Sequence, residues 1–121
     1  MVPAEELKLR SKLFAVRVVT LFRSLPKTDE ARVIGRQLLR SSTSIAANYR
    51  AVCRSRSKAE FVAKIGIVVE EADDETVFWL EFLVDTGIVK IGKLELLIKE
   101  ANELLAIFAA SQRTARNPKK A

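Results

Sequence analysis

The sequence predicts an all-α fold, an up-down-up-down antiparallel four-helix bundle, and three observations carry that expectation. The chain has 121 residues, 49% of them hydrophobic, which suits one domain with a real core and is short for two. Only four glycines and three prolines punctuate it, favouring a few long helices over many short strands. Apolar residues recur at spacings of three and four along nearly the whole length, the period of a helix. A single domain is expected over residues 1–114, followed by a basic tail over 115–121 that ends NPKKA.

The first helix is expected over 4–25. Pro3 suits its first position, because the missing N–H would be unpaired there in any residue. Leu7, Phe14, Val18, Leu21 and Leu25 form its stripe, and Leu25–Pro26 ends it. The second helix is expected over 29–54, capped by Thr28, with Asp29 and Glu30 against the positive end of its dipole. Ile34, Leu38, Ile45, Tyr49 and Val52 mark its buried face. A turn at Arg54–Ser57 follows. Ser57-Lys-Ala-Glu60 then has the spacing of a capping box, in which serine and glutamate each satisfy a free backbone N–H.

The third helix, over 58–86, is expected to bury Phe61, Ile65, Val68, Ala72, Trp79 and Leu83, with Gly87 as its C-terminal cap. The fourth, over 91–114, buries Leu94, Leu97, Ile98, Ala101, Leu104, Leu105 and Phe108. Short connections make consecutive helices antiparallel neighbours. Helix three carries more apolar surface than such a bundle needs. Val62, Val69, Leu80 and Val84 fall beside its core stripe, widening the apolar arc to about 200°, where about 100° suffices. Deep burial in a compact bundle would explain this. Self-association through Val62, Val69, Leu80 and Val84 also would, and that oligomer interface is the expectation taken forward.

Histidine is absent. Di-iron bundles use Glu-x-x-His pairs, and most hydrolytic zinc sites and serine triads need an imidazole. No catalytic residue, metal site or cofactor is therefore expected. In the carboxylate cluster Glu70, Glu71, Asp73, Asp74 and Glu75, the helical wheel turns Glu70 and Asp74 away from the core, towards solvent or ion pairs. Glu75 lies at the edge of the stripe and, if buried, needs Asn48 or Arg40 as partner. Cys53 is the one cysteine, so no internal disulfide can form. Its place near the core side of helix two predicts a small buried hydrophobe. Trp79 and Tyr49 read as packing residues. Ser41-Ser42-Thr43-Ser44 is unusual inside a helix and would let a neighbour approach closely. No apolar run nears the roughly 20 residues that span a bilayer, and the N-terminus MVPAEELKLR has no signal-peptide centre. A cytoplasmic protein without a membrane partner is expected.

Charge supplies the functional lead. Residues 1–56 hold 12 Lys/Arg against 4 Asp/Glu, a net of +8, while residues 57–121 hold 9 against 11, a net of −2. At about 100° per residue, Arg32, Arg36, Arg40, Arg50 and Arg54 fall within an arc of about 80° and extend about 33 Å. Arg32, Arg36 and Arg40 repeat at i, i+4, where like charges repel by a few tenths of a kcal/mol, and no glutamate is mixed in. Nucleic-acid phosphate could neutralise the row, since guanidinium forks match it bidentately. So could the acidic face of helix three in another subunit, with Glu70, Asp74, Glu81 and Asp85. A plainly solvated face is the third reading. Exposed aromatics interleaved with the arginines are not expected, which argues against sequence-specific reading of RNA.

Four segments carry a resemblance: LLRSSTSIAANYR over 38–50, RSRSKAEF over 54–61, IGIVVEEADDET over 65–76 and WLEFL over 79–83. Through them the chain resembles the bacterial four-helix-bundle family of 23S rRNA intervening-sequence proteins, from roughly residue 7 to residue 112. Where many members have Gly or Pro before the Ala-Asn pair, this chain has Ala46, a change in the local backbone. The resemblance implies a homo-oligomeric bundle, with a pentamer around a central channel as the expected assembly. It also implies kinship with the accessory variability protein of diversity-generating retroelements, a basic pentamer that binds nucleic acid and a reverse transcriptase. Its implication for function is binding rather than catalysis: RNA or DNA on the arginine row, or alternatively a scaffold for a protein partner.

Overall fold

The computed structural model of the chain describes residues 2–117, and among them the fold is helical throughout, with no strand. Helix α1 spans Ala4–Ser24 and α2 spans Asp29–Val52. Helix α3 runs over 58–85 in three parts: an α segment Lys58–Glu70, a π-helical segment Glu71–Val77 and an α segment Phe78–Asp85. Helix α4 spans Ile91–Arg116. The expected helix thus continues two residues past 114 into the proposed tail, and 118–121 lie outside the described residues.

Each helix end has a local cause. Pro3 is the N-cap, with extended backbone, rather than the first helical residue. The Thr28 hydroxyl accepts the Ala31 N–H at 3.3 Å, and the Ser57 hydroxyl accepts the Glu60 N–H at 3.0 Å. The return half of the capping box is displaced by one residue, since Glu60 Oε2 accepts the Arg56 N–H at 3.4 Å. Gly87 has φ 74° and donates to the Val84 carbonyl at 2.9 Å; a left-handed residue there closes the C-terminus of α3, and glycine adopts it without a Cβ clash.

The helices pack in a ring, α1 on α2, α2 on α3, α3 on α4 and α4 on α1, with the diagonal pairs barely touching. The core runs along the centre, through Leu7, Phe14, Val18, Leu38, Ile45, Val52, Ile65, Val68, Leu83, Leu94, Leu104 and Phe108. Tyr49 packs its ring 5.2 Å from that of Phe108, and burial pushes its phenol above the ordinary value, with Cys53 adding to the effect. Between α1 and α4, Arg10 grips Glu100 through Nε at 3.1 Å and Nη2 at 2.6 Å, and its Nη2 also reaches Glu103 at 3.0 Å. Gly35 lets α1 and α2 close up, since a Cβ there would stand 2.6 Å from Leu25 Cδ1.

The π segment changes the register of α3. A regular helix would put Glu75 and Trp79 on the core stripe after Ala72. Each residue in the wider π turn advances less around the axis, so Thr76 and Leu80 take those places, both fully buried. Trp79 is displaced to a half-buried flank and is not a core residue as the periodicity suggested. Leu80, expected at an oligomer interface, belongs to the core of the single chain at 0% exposure. Val62, Val69 and Val84 remain half-buried.

Candidate nucleic-acid interface

From Ala31 through Ala59 the chain carries seven Lys/Arg and no Asp/Glu. Arg32, Arg36, Arg40 and Arg50 lie on α2, and Arg54 lies in the turn beyond its end at Val52. All five are exposed. The helical part of the row, Arg32 to Arg50, is therefore about 27 Å long, shorter than a helix reaching Arg54 would make it.

Arg40 departs from the others. Its guanidinium reaches across to the π segment, Nη1 to Glu71 Oε1 at 3.2 Å and Nη2 to Glu75 Oε1 at 2.8 Å. The hydrogen bond to Glu71 and then that to Glu75 hold its pKa above the ordinary arginine value. Trp79 Nε1 donates to the same Glu75 oxygen at 3.4 Å. Of the two partners proposed for Glu75, Arg40 is the one it meets. Asn48 instead donates to the Ser44 carbonyl and hydroxyl at 2.8 and 2.9 Å.

Below this pair the serine run does what small residues were expected to do. Ser41 and Ser42 are fully buried, and the Thr76 hydroxyl donates to Ser41 Oγ at 2.8 Å, which donates in turn to the Leu38 carbonyl at 3.2 Å. A buried hydroxyl pair of this kind fixes the register of two helices, because neither group can be left unpaired without a cost of about 1–3 kcal/mol.

Arg32, Arg36, Arg50 and Arg54 have no ion pair among the described residues. Arg32 and Arg36 flank a notch at the α1–α2 turn that also contains Lys27. Arg50 stands with Lys8 and Lys12 on the rim of a groove of about 510 Å³ between α1 and α2, floored by Leu9, Val16 and Ala47. The basic surface is thus a track shared by two helices, from Lys27, Arg32 and Arg36 to Arg50 and Lys12, with Lys8 beyond them paired to Glu5 at 2.9 Å. Reading helix two alone missed the three lysines; the signal for them was the short α1–α2 connection, which makes those helices neighbours. Such a track offers multidentate hydrogen bonds and positive potential to phosphates.

Cys53 is exposed. Helix α2 ends one residue before it, so Cys53 sits in the turn rather than on the buried face where the periodicity placed it. One aromatic side chain stands open on α3, away from the arginines of α2. Phe78 is exposed, and its ring stacks 5.6 Å from Phe82 and lies edge-on 4.9 Å from Trp79. Among the described residues no group of three or more His, Cys, Asp or Glu is placed to hold a metal ion, and no helix is long and apolar enough to cross a membrane.

Fold and surface together define a small antiparallel four-helix bundle whose charge is segregated by helix, basic on α1 and α2 and acidic on the outside of α3. The family model described as 23S rRNA-intervening sequence protein matches residues 6–110, and the chain belongs to that family. It is similar to a solved protein of unknown function from the S23 ribosomal protein family of Bacteroides thetaiotaomicron, with 32% identity and a TM-score of 0.84 over 92% of this chain and 98% of that one. No curated protein matches the sequence.

Proposed function

We propose that the protein is a non-enzymatic, homo-oligomeric bundle that binds structured or ribosomal RNA through the arginines of α2. The observation that carries this reading is the set of four exposed arginines, Arg32, Arg36, Arg50 and Arg54, with neither an ion pair among the described residues nor an acidic residue in their stretch of sequence. Exposed like charges on one face are destabilising unless a counter-charge arrives, and a phosphate backbone supplies one every few ångströms. The family's description names 23S rRNA and the solved relative's names a ribosomal protein family, which supports RNA as the ligand. The resemblance makes five copies the expected number, with a cytoplasmic location.

Arg40 contributes less than its neighbours, since binding phosphate would first have to break its contacts with Glu71 and Glu75. That same contact favours a second reading, a protein-binding scaffold whose arginines serve subunit or partner contacts. An electrophoretic shift with total bacterial RNA separates the two. At low ionic strength the wild type should retard RNA, and Arg32→Gln/Arg36→Gln/Arg50→Gln should lose the shift while keeping its mass in solution. No retardation by the wild type, or a triple variant that loses its assembly instead, favours the scaffold.

A further inference from the structure

Two faces of this chain carry unpaired charge of opposite sign beside exposed apolar side chains. On the outside of α1, Leu9, Leu13 and Val16 are 57%, 50% and 53% exposed and occupy positions i, i+4 and i+7, one stripe of a helix. Lys12 and Arg17 are exposed beside them. On the outside of α3, Ile67 and Phe78 are 46% and 47% exposed. The acids around them, Glu70, Asp73, Asp74, Glu81 and Asp85, are all exposed. Neither Lys12, Arg17 nor any of these five acids has an ion pair among the described residues.

An ordinary solvated helix face mixes both signs at i, i+4; beyond the first turn, where Glu5 and Glu6 lie, α1 carries only basic residues from Leu9 to Ser24, and α3 carries only acidic ones from Glu70 to Asp85. The acids bar a phosphate backbone from α3. They suit instead a basic surface with apolar side chains at its centre, and the chain itself presents one on α1. Helices α1 and α3 stand diagonally across the bundle, so the two faces cannot meet within one copy.

We propose that the outer face of α3 docks on the outer face of α1 of a second copy. Ile67 and Phe78 pack on Leu9, Leu13 and Val16, which covers the Lys12 end of the basic track and leaves Lys27, Arg32 and Arg36 at its other end to phosphate. Asp74 and Glu81 pair with Lys12 and Arg17. The contact joins different surfaces, so copies add head to tail and either close into a ring or run on as a filament, according to the rotation between them. The inference rests on the homo-oligomer reading and names the surfaces that make it.

Charge reversal on each face tests it. Sedimentation velocity is run on the wild type, on Lys12→Glu/Arg17→Glu, on Asp74→Lys/Glu81→Lys, and on an equimolar mixture of the two variants, with far-UV circular dichroism confirming helix content. The wild type should associate. Each variant alone should fall to the mass of one chain, because both of its docking faces now carry the same sign. The mixture should regain association, in chains or even-numbered rings where the two variants alternate, because the two reversed faces complement each other and so do the two unreversed ones. A wild type that is monomeric at every concentration overturns the homo-oligomer reading and this contact with it. Variants that keep the wild-type mass overturn the contact alone. Monomeric variants that do not reassemble on mixing overturn the pairing of α1 with α3, as would a wild type that assembles only after adding another protein.

Discussion

Deleting Asp74 should cost this protein little, although removing one residue from the middle of a helix usually rotates everything beyond it by about 100°. The reason lies in the π segment Glu71–Val77. The most deeply buried positions along α3, each at 2% exposure or less, are Ile65, Val68, Ala72, Thr76, Leu80 and Leu83. Removing Asp74, which is exposed and has no ion pair among the described residues, converts those spacings to an alternation of three and four. A regular α-helix satisfies that alternation, so Thr76, Leu80 and Leu83 keep facing the core. The losses are a weakened Arg40–Glu71–Glu75 contact and some local repacking, about 1–2 kcal/mol by the usual worth of part-exposed charged hydrogen bonds. Deleting Asn102, equally exposed but in the unbroken α4, would turn Leu104 and Phe108 out of the core. Both are almost fully buried, and losing a Leu and a Phe from the core costs about 5 kcal/mol or more. Urea unfolding followed by far-UV circular dichroism should therefore show a cooperative transition for the Asp74 deletion at modestly lower urea, and little or no folded baseline for the Asn102 deletion. Equal destabilisation by the two deletions would refute the register argument.

Leu80→Ala should lower stability by about 3 kcal/mol and Val84→Ala by clearly less, since Leu80 is fully buried and Val84 only half; thermal unfolding ranks the two, and a larger loss at Val84 would contradict the burial. Ser41→Ala should cost about 1–2 kcal/mol by orphaning the Thr76 hydroxyl, while Ser41→Ala/Thr76→Val should cost less than the sum of the single changes; an additive denaturation cycle would mean the hydroxyls do not interact. Glu60 is held below the ordinary carboxylate pKa, first by its hydrogen bond from Lys64 and then by that from the Arg56 backbone. Its folded pKa is depressed, so its contribution is present above the unfolded value and fades as pH falls through the folded one. Glu60→Gln should accordingly flatten the melting temperature's fall below pH 4.5, the ordinary value for this group, and an unchanged pH profile would contradict that.

The existence and order of four helices were legible in the sequence because sparse glycine and proline, a three-four apolar rhythm and three cap signals all agree. The register of α3 was less legible. Helical periodicity assumes a constant turn, and the π segment breaks that assumption, moving Trp79 off the core and Leu80 onto it. One residue did signal the shift: a regular helix put the charged Glu75 at the edge of the core stripe, where it needed a partner. The arginine row was legible as a row, but its energetics were not. Whether Arg40 is free depends on which helix lies beside it, and only the packed fold brings Glu71 and Glu75 within reach. The exposed stripe Leu9, Leu13 and Val16 was hidden for a related reason. On a helical wheel α1 shows a core face, and nothing in the local sequence says how much of the remaining apolar surface its neighbours cover.

The central claim, that phosphate neutralises the free arginines of α2, is tested most directly by the salt dependence of RNA affinity in the wild type and in single arginine variants. The slope of log affinity against log salt should flatten by about 0.7–0.9 for each of Arg32→Gln, Arg36→Gln and Arg50→Gln, the range for one lost phosphate contact from single strand to duplex. It should change least for Arg40→Gln, whose guanidinium is held by Glu71 and Glu75. A wild type with no affinity for RNA at low salt, or slopes that the arginine variants leave unchanged, would contradict the claim.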